Sequence, residues 1–351
     1  MQKDLLGSLL LGSVLVIACS SDPGMKPGGD VGGDAGPSDA PTLGGGHAFT
    51  ISWGPVTVGP SIEDTRCVEK RLGNDAAAWI GALETHITSS HHLIVYRVPG
   101  TEERPEPYPC EPFRDTLQPE SAGAPLMVSQ IEDERLELPS GVAFGVAADQ
   151  MVRLELHFVN YTDADLTVQA QVTFETLAPE LFRDEADFLF TGNPDIRLEP
   201  GANVLGPTWF PLPEELADVN IFGMTGHTHQ WGTNVQVEQR LARDAAGTMV
   251  YDYEGWSWQE PPVARFDPAL AMPRASGFRF TCEWQNDSGG TVDFGENADD
   301  EMCFFWSYYY PSQGHKVCVH SDQYDDGLGE PGTDLCCPGS PYCSLIDMLS
   351  P

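Results

Sequence analysis

Short segments in which apolar and polar residues alternate recur along this chain, and they limit the folds available to it. Residues 151–159 alternate in this way, and residues 168–174 repeat the pattern. Because successive side chains of a β-strand point to opposite faces, such alternation predicts strands that bury one face. No segment of any length has the period of a helix, and the 36 glycines and 29 prolines favour turns. We therefore expect an all-β fold made of antiparallel β-sandwiches.

Turn residues between the alternating segments predict two hairpins. Residues 161–165 would join strand 151–159 to strand 168–174. Residues 244–247 would turn a second hairpin within residues 233–254. No internal repeat is evident.

The N-terminal residues have the composition of an export signal. Lys3 precedes an apolar run, residues 5–18, that is too short to cross a bilayer as a helix. The run ends in Val-Ile-Ala-Cys, which resembles the bacterial lipobox, in which the cysteine, here Cys19, is lipidated. This resemblance implies an exported, lipid-anchored protein, and Ser20 is similar to the pattern of lipoproteins that reach the outer membrane, on its periplasmic or cell-surface side. The alternative is an ordinary secretory signal peptide that happens to contain a cysteine.

Composition divides the rest of the chain. Residues 20–46 contain Gly, Pro, Asp and Ser with almost no apolar side chains, so they cannot bury enough surface to fold. A break at residues 177–179 separates the folded part into halves of similar size. The expected organisation is a signal peptide at 1–19, a tether at 20–46, two β-sandwich domains at 47–178 and 179–320, and an acidic, cysteine-rich tail at 321–351.

The charge balance limits the possible partners of the chain, and the cysteines indicate its compartment. The chain has 18 Lys and Arg against 53 Asp and Glu, a formal net charge of −35. Nucleic-acid binding needs a cationic face to contact phosphates, so we expect no nucleic-acid partner. The acidic residues favour solubility, and their field would also favour nearby cations. Eight of the nine cysteines follow Cys19, and in an oxidising compartment this even number is expected to form disulfides.

A His-x-His pair at His227 and His229 is the strongest metal-binding signal in the chain. On a β-strand these two side chains project from the same face, so both imidazoles can bind one ion without distortion of the backbone. Met302, in the stretch Asp-Glu-Met-Cys, is a candidate third ligand. Its soft thioether would favour copper, because thioethers suit Cu(I) and imidazole suits both copper oxidation states.

A second candidate site lies in the first half of the chain. His91 and His92 are adjacent, so both can serve one ion only where the backbone twists or where a strand begins just after them. His157 lies on the polar face of its predicted strand and is the natural third ligand of an all-nitrogen site. Glu155, on the same face, would be either a partner of the ligands or a solvent-exposed residue.

The order and spacing of these six residues resemble the copper type II ascorbate-dependent monooxygenases, over roughly residues 50–320. That family includes peptidylglycine α-hydroxylating monooxygenase and dopamine β-monooxygenase. The resemblance implies two jelly-roll domains in tandem, each holding one copper, with a solvent-filled cleft between them. It implies an electron-transfer copper and a catalytic copper that binds dioxygen and substrate. The implied ligands are His91, His92 and His157 for the first copper and His227, His229 and Met302 for the second.

The same resemblance implies two disulfides, Cys67–Cys110 around the double histidine and Cys282–Cys303 next to the methionine. Four further cysteines form a tail that departs from the family. The adjacent Cys336 and Cys337 are not expected to pair with each other. Their partners should be Cys318 and Cys343, in an undetermined order.

Three positions argue against the substrate of the peptide-amidating members. Those members have an arginine two residues before the His-x-His pair, and an asparagine and a tyrosine two and four residues after the methionine. This chain has Thr225, Phe304 and Trp306 there. Peptide amidation is therefore not expected, and these residues become candidate substrate-binding residues. The aromatic run 304–310 suggests a small apolar or aromatic substrate, and strand alternation would place part of this run in the core.

The predicted function is hydroxylation of a substrate C–H bond by dioxygen, with two coppers per chain and electrons from ascorbate or another small reductant. The metal would carry the chemistry, which fits the absence of a catalytic-triad or carboxylate-pair signature. The alternative is a surface lipoprotein that binds or scavenges copper without turnover, because both functions need the same ligands. Met302 disfavours a structural zinc site, and the expected oxidation of Cys303 disfavours a blue-copper site.

Overall fold

The computed structural model describes residues 46–110, 123–295, 297, 299–323, 332–338 and 343. The predicted signal peptide, Cys19 and nearly all of the predicted tether lie outside these residues. No helix in the described part is long and apolar enough to cross a membrane.

The strands between residues 48 and 185 form two sheets. In chain order they are β1 (Ala48–Val58), β2 (Glu63–Arg71), β3 (Ala78–Thr88), β4 (His92–Val98), β5 (Arg104–Pro109), β6 (Ala124–Ser129), β7 (Asp133–Glu137), β8 (Val142–Val146), β9 (Met151–Val159), β10 (Leu166–Leu177) and β11 (Asp184–Glu185). Sheet A has the order β1-β10-β3-β8-β11, and β7 also pairs with β3. Sheet B has the order β5-β2-β9-β4-β6.

The strands between residues 187 and 337 form two larger sheets and one short pair. They are β12 (Asp187–Gly192), β13 (Arg197–Leu198), β14 (Gly201–Pro211), β15 (Val219–His227), β16 (Gly232–Arg240), β17 (Thr248–Tyr251), β18 (Val263–Met272), β19 (Gly277–Asn286), β20 (Val292–Asp293), β21 (Phe304–Tyr310), β22 (Lys316–Ser321) and β23 (Thr333–Cys337), with a 3-10 turn at Glu214–Leu216. Sheet C has the order β18-β15-β21-β12-β22-β23, sheet D has the order β14-β19-β16-β17, and β13 pairs with β20. The all-β prediction is confirmed, and the jelly-roll description stays a prediction.

Sheets A and B pack face to face, as do sheets C and D. Trp53 of β1 meets Phe158 of β9 edge to face, with ring centroids 5.9 Å apart. On the other side of the molecule, Phe278 of β19 meets Phe305 of β21 at 5.2 Å. Each pair of sheets therefore encloses an aromatic-rich core.

Sheets B and C are also in direct contact. The backbone N–H of Val128 on β6 donates to the hydroxyl of Tyr308 on β21 at 3.2 Å. Strand β21 is consequently buried on both faces. Phe304, Trp306 and Tyr308 belong to the core that continues into sheets A and B, while Phe305 belongs to the core between sheets C and D. Burial on both faces explains why every residue of this strand except Ser307 is aromatic, without alternation.

One of the two predicted hairpins is wrong. Strand β9 pairs with β2 and β4 in sheet B, whereas β10 pairs with β1 and β3 in sheet A. Residues 161–165 therefore carry the chain from one sheet to the other. The apolar faces of these two strands meet across the core, so two strands with the same alternation pattern need not be neighbours in one sheet. The other predicted hairpin is confirmed, because β16 pairs with β17.

The two halves share local features that the sequence does not reveal as a repeat. The register of β1 shifts at Gly54–Pro55, and that of β14 shifts at Gly206–Pro207. A bulge suits Pro, which cannot donate to the ladder, and Gly, which tolerates positive φ. At the ends of β9 and β19, Asn160 and Asn286 each accept a hydrogen bond from the backbone N–H two residues later, at 2.9 and 3.0 Å. These Asx turns begin the loops that leave each strand.

Candidate metal centre

The first histidine group forms at the start of β4. His92 opens this strand and pairs directly with His157 on β9, so the two side chains share one face of sheet B. His91 precedes the strand, and its backbone N–H donates to the carbonyl of His157 at 2.9 Å. One ring nitrogen of each histidine lies within 4.8 Å of those of the other two. Both adjacent histidines join one group because the strand begins after His91.

Glu63 orients His157. Its Oε1 lies 2.9 Å from His157 Nε2, so this nitrogen carries the ring proton and donates it. His157 Nδ1 and His91 Nε2 are buried and have no hydrogen-bond partner within the described residues. An unsatisfied buried polar atom costs about 1–3 kcal/mol, and a bound metal ion would remove that cost. The group therefore fits a metal ion by its donor atoms.

The polar face of β9 is not exposed to solvent. His157 is 3% and Glu155 is 1% exposed, because sheet C covers this face of sheet B. The interpretation of Glu155 as a solvent-exposed residue is therefore wrong.

The second histidine group lies where β15 ends. His227 is the last residue of this strand, and the rings of His227 and His229 are 5.2 Å apart. His227 Nδ1 lies 2.9 Å from Gln130 Oε1, and His229 Nδ1 lies 3.1 Å from the carbonyl of Asp300. Both acceptors hold the ring proton on Nδ1. His229 Nε2 is buried without a hydrogen-bond partner in the described part of the chain, and its lone pair is available to a metal.

Glu301 holds the Met302 backbone beside His229. Its Oε2 accepts hydrogen bonds from the backbone N–H groups of His229 and Met302, at 2.8 and 3.2 Å. Its Oε1 accepts from the backbone N–H of Trp231 at 2.7 Å. The strand pairing ends at His227 and Phe304, and beyond it the shared hydrogen bonds to Glu301 link the segment of Met302 to that of His229. Met302 is fully buried, in the same core as Phe304.

Four disulfides are present among the described cysteines. Cys67–Cys110 and Cys282–Cys303 are the two pairs that the resemblance implies. In the tail, Cys318 pairs with Cys336 and Cys337 pairs with Cys343, which settles the order that the sequence left open. The Cys282–Cys303 bond ties sheet D to the residue that follows Met302.

The two histidine groups lie in contact, and the expected solvent-filled cleft between them is wrong for this structure. The ring centroids of His92 and His227 are 6.1 Å apart, and neither side chain is exposed to solvent. Gln130 crosses from the first half to His227, and Trp258 crosses from the second half to lie 4.9 Å from the ring of His91. The cause is the direct packing of sheets B and C, which leaves no open space between these rings.

Burial favours the neutral form of four of the five imidazoles. It lowers the pKa of His91, His92 and His227 well below the ordinary value, and neighbouring histidines lower each of them further. Burial and the charge of His157 lower the pKa of His229 to about 4, although the Asp300 carbonyl and Glu63 act in the opposite direction. A neutral imidazole keeps a free lone pair, which is the form that binds metal.

The three candidate substrate residues lie in the core. Thr225 donates to the carbonyl of Pro262 at 3.0 Å and accepts from Gln130 Nε2 at 3.3 Å. Phe304 stacks on Phe190 at 4.4 Å, and Trp306 lies 4.7 Å from the ring of His227. Phe304 and Trp306 are 0% and Thr225 is 1% exposed, so all three pack around the second histidine group.

A pocket of about 360 Å³ reaches the histidines at His91. Tyr161, Trp258 and Glu260 line it together with Ser89 and Ser90 of the adjoining loop. Of the five histidines, His91 alone is partly exposed. A second pocket, of about 370 Å³ around Trp79, contains none of the five.

Sequence reasoning missed Glu63, Gln130 and Glu301. Glu301 could have been predicted, because it is an acidic residue directly before a candidate ligand in an apolar segment. Glu63 and Gln130 gave no signal, since they lie 94 and 97 residues from the histidines that they contact.

Several solved structures show weak similarity to this chain. The major capsid protein P2 of bacteriophage PM2 has a TM-score of 0.34 and 7% sequence identity, covering 75% of this chain and 97% of that chain. Infectious bursal disease virus Gx strain has a TM-score of 0.19 and 9% identity, covering 76% and 72%. Oxalate decarboxylase from Bacillus subtilis has a TM-score of 0.18 and 8% identity, covering 76% of each chain. These TM-scores are too low to support a conclusion about fold or function.

A protein-family comparison gives a specific result. Residues 208–326 match the family described as copper type II ascorbate-dependent monooxygenase, C-terminal domain. The matched segment contains the second histidine group, Glu301 and Met302. Residues 208–326 are therefore similar to the C-terminal domain of the copper type II ascorbate-dependent monooxygenases, as the sequence motifs predicted.

Proposed function

We propose that this protein is a copper monooxygenase that hydroxylates a C–H bond of a small substrate, using dioxygen, a small reductant such as ascorbate, and two coppers per chain. The observation that carries the proposal is the convergence of two buried histidine groups, the second in the family-matched segment that also contains Met302. Copper would supply the dioxygen activation and one-electron transfer that no protein side chain provides.

In this proposal each histidine group holds one copper. The first group, His91, His92 and His157, would hold the electron-transfer copper, with His157 binding through Nδ1 because Glu63 occupies Nε2. The second group would hold the copper that binds dioxygen, through His227, His229 and the thioether of Met302.

The remaining residues of the site position these ligands and exclude water. Glu63, Gln130 and the Asp300 carbonyl fix the ring orientations of three histidines. Glu301 ties the segment carrying Met302 to the one carrying His229. Burial of the rings limits competing reactions with water. No side chain is needed as a general base in this scheme.

The substrate is proposed to be small and not a peptide amide precursor. Thr225 stands where amidating members have an arginine, and both of its hydrogen bonds are made inside the protein. The pocket beside His91 is the proposed approach for small molecules, because it reaches the partly exposed member of the histidine groups.

Turnover is tested with copper-loaded protein, ascorbate and a panel of small apolar and aromatic substrates. The expected result is substrate-dependent oxygen consumption, with one atom of ¹⁸O₂ incorporated into a hydroxylated product. A His229→Ala variant should lose this activity. Oxygen consumption that does not respond to any substrate would contradict a monooxygenase.

A non-catalytic copper-binding or copper-scavenging role is the second candidate. It is favoured by the burial of Thr225, Phe304 and Trp306, which fill the space around the second histidine group. The same experiment separates the two roles, since a scavenger would bind copper tightly and produce no hydroxylated product.

We also propose that the protein is exported and lipid-anchored through Cys19 at the outer membrane. Its disulfides support an oxidising compartment. The test is incorporation of a labelled fatty acid in the native host, which a Cys19→Ala variant should abolish. Equal labelling of both proteins, or labelling of neither, would contradict a lipid anchor at Cys19.

A further inference from the structure

We infer that the surface around His91 is a docking site for a basic redox protein that donates one electron at a time. This inference rests on the proposed function and deepens it, because the electrons would enter at the first histidine group. A small reductant would reach the same group through the pocket beside His91, whereas the surface around that pocket offers contacts to a larger partner.

His91 is the histidine at which an outside donor comes closest to the site. It is partly exposed, whereas each of the other four histidines is at most 3% exposed. Its ring lies in the wall of the pocket of about 360 Å³, and its Nε2 is buried without a hydrogen-bond partner among the described residues. One edge of the ring therefore faces the surface, while a lone pair is left inside the protein for a metal ion.

Apolar side chains surround His91 at this surface. Trp258 packs against its ring at 4.9 Å, and Tyr161, Val159 and Leu166 line the same pocket. Tyr161 is 66% exposed, the highest value among the exposed large hydrophobic side chains of the described residues. Aromatic residues are enriched at the centres of protein interfaces, and electron-transfer complexes use small interfaces. An exposed aromatic side chain beside a partly exposed histidine suits the centre of such an interface.

Acidic residues flank this apolar centre. Glu260 lines the pocket and is exposed. The loop between the lining residues Tyr161 and Leu166 carries Asp163 and Asp165, which are both exposed. No described lysine or arginine lines the pocket. The surface is therefore an apolar centre with a negative rim.

Two further carboxylates add to the negative field. Burial raises the pKa of Tyr161, and the charges of Glu63 and Asp299 raise it further, so both carboxylates lie near this side chain. A negative surface attracts a positively charged partner, speeds its association and disfavours an acidic one. The partner that fits this surface is consequently basic.

The step that this surface would serve is the transfer of one electron. The donor centre of the partner loses the electron and the metal ion held by the first histidine group gains it, without transfer of a proton or any other atom. A basic c-type cytochrome has the required chemistry, because its haem iron passes between Fe(II) and Fe(III) and its lysines supply the complementary charge.

Binding of a basic cytochrome c to the full chain tests the inference, measured by calorimetric titration at low ionic strength before copper is added. A variant that combines Asp163→Asn with Glu260→Gln should bind about tenfold more weakly, because it removes two charges of the rim. Tyr161→Ser should weaken binding about fivefold, because it truncates the apolar centre. Added salt should weaken binding to the unmodified chain.

The matched control combines Glu102→Gln with Asp244→Asn, which removes the same number of charges elsewhere. Glu102 follows the end of β4 that lies away from His92, and Asp244 follows the end of β16 that lies away from His229. The control should change the affinity by less than about twofold. Equal weakening by the control and by the rim variant would show unspecific attraction to the net charge of −35 and would overturn the docking site.

A second comparison uses the unmodified chain and so does not depend on the folding of any variant. Acetylated cytochrome c, whose lysines are neutralised, should bind at least about tenfold more weakly than the unmodified cytochrome. Equal affinity for the two cytochromes would overturn the docking site. These titrations need no bound copper, so they are independent of the turnover experiment that tests the proposed function.

Discussion

At the scale of single residues, hydrogen bonds fix the ring orientation of three of the proposed histidine ligands. Each of three histidines has one ring nitrogen engaged by a specific oxygen, from Glu63, Gln130 or the Asp300 backbone. The ring nitrogen that is left carries the lone pair. These partners decide the tautomer, and hence which atom would face a bound metal.

Gln130 tests this dependence. Replacing it in Gln130→Leu removes the acceptor at His227 Nδ1, so the ring is free to place its proton on Nε2. We expect copper affinity at the second group to fall about 10–100-fold, with affinity at the first group unchanged. Competition with a Cu(I) chelator measures both. Gln130→Glu keeps an acceptor oxygen and should restore most of the affinity, and equal affinity in the Leu variant would contradict the role.

Glu301 is the other residue whose removal should be costly. Its carboxylate accepts from three backbone N–H groups and from the indole of Trp284, at 2.9 Å. Glu301→Gln replaces one acceptor oxygen by a donor that faces these N–H groups. The free energy of unfolding should fall by about 2–4 kcal/mol, measured by urea denaturation.

The matched control for Glu301 is Glu180→Gln, at an exposed carboxylate. It should leave the urea midpoint unchanged. A Glu301→Gln variant as stable as the control would show that this carboxylate does not hold the Met302 segment.

At the scale of elements, the proposed ligands lie at or near strand ends. His92 begins β4, His227 ends β15, and Met302 lies two residues before β21 begins. Side chains at strand ends keep the direction set by the strand while the backbone beyond them is free to turn. The disulfide at Cys303 restricts that freedom next to Met302.

Removal of the two family-type disulfides should therefore have different effects. Replacing Cys282 and Cys303 by serine removes a crosslink over 21 residues and should cost about 3 kcal/mol of stability, together with copper affinity at the second group. Replacing Cys67 and Cys110 removes a crosslink over 43 residues and should cost about 4 kcal/mol, with copper affinity at the second group preserved. Equal effects on that affinity would contradict a specific role for Cys303.

The sequence allowed the histidine groups to be predicted better than their surroundings. The spacing of His227 and His229 and the adjacency of His91 and His92 are local, so the pattern alone identified them. The pairing partner of β10 is not local. Alternation says which face of a strand is buried but not which sheet the strand joins. The contact between sheets B and C was also beyond prediction, because nothing in the run 304–310 tells which of its two faces meets the other half.

At the scale of the whole molecule, the contact between the halves contains a buried acid. Glu134 on β7 is 7% exposed, and its Oε2 has no hydrogen-bond partner within the described residues. Burial raises the pKa of Glu134 to about 7, although the charge of Arg265 and hydrogen bonds from Ser129 and the Gln130 backbone lower it. Arg265 and Ser129 come from opposite sides of this contact. The pKa of this carboxyl therefore depends on how the two halves pack against each other.

A pH-dependent gain in stability is expected from Glu134→Gln. The folded protein holds the Glu134 proton more tightly than the unfolded chain does, so this group destabilises the fold increasingly as pH rises from about 4.5 to about 7. Above that range the variant should be more stable than the original by about 3 kcal/mol, and near pH 4.5 the two should be equal. Urea unfolding at both pH values measures this difference.

The control for Glu134 is Glu132→Gln, an exposed carboxylate on the turn before β7. It should show no such pH-dependent gain. The same difference in stability at both pH values for Glu134→Gln would mean that the carboxyl is not desolvated at the contact.

Copper content per chain is the most direct test of the two proposed ligand groups. The purified protein, reconstituted with copper and freed of excess metal, should contain two equivalents by elemental analysis. His157→Ala and His229→Ala should each contain one, because each removes a ligand of a different group. One equivalent in the unmodified protein, or zinc retained in place of copper, would contradict the account.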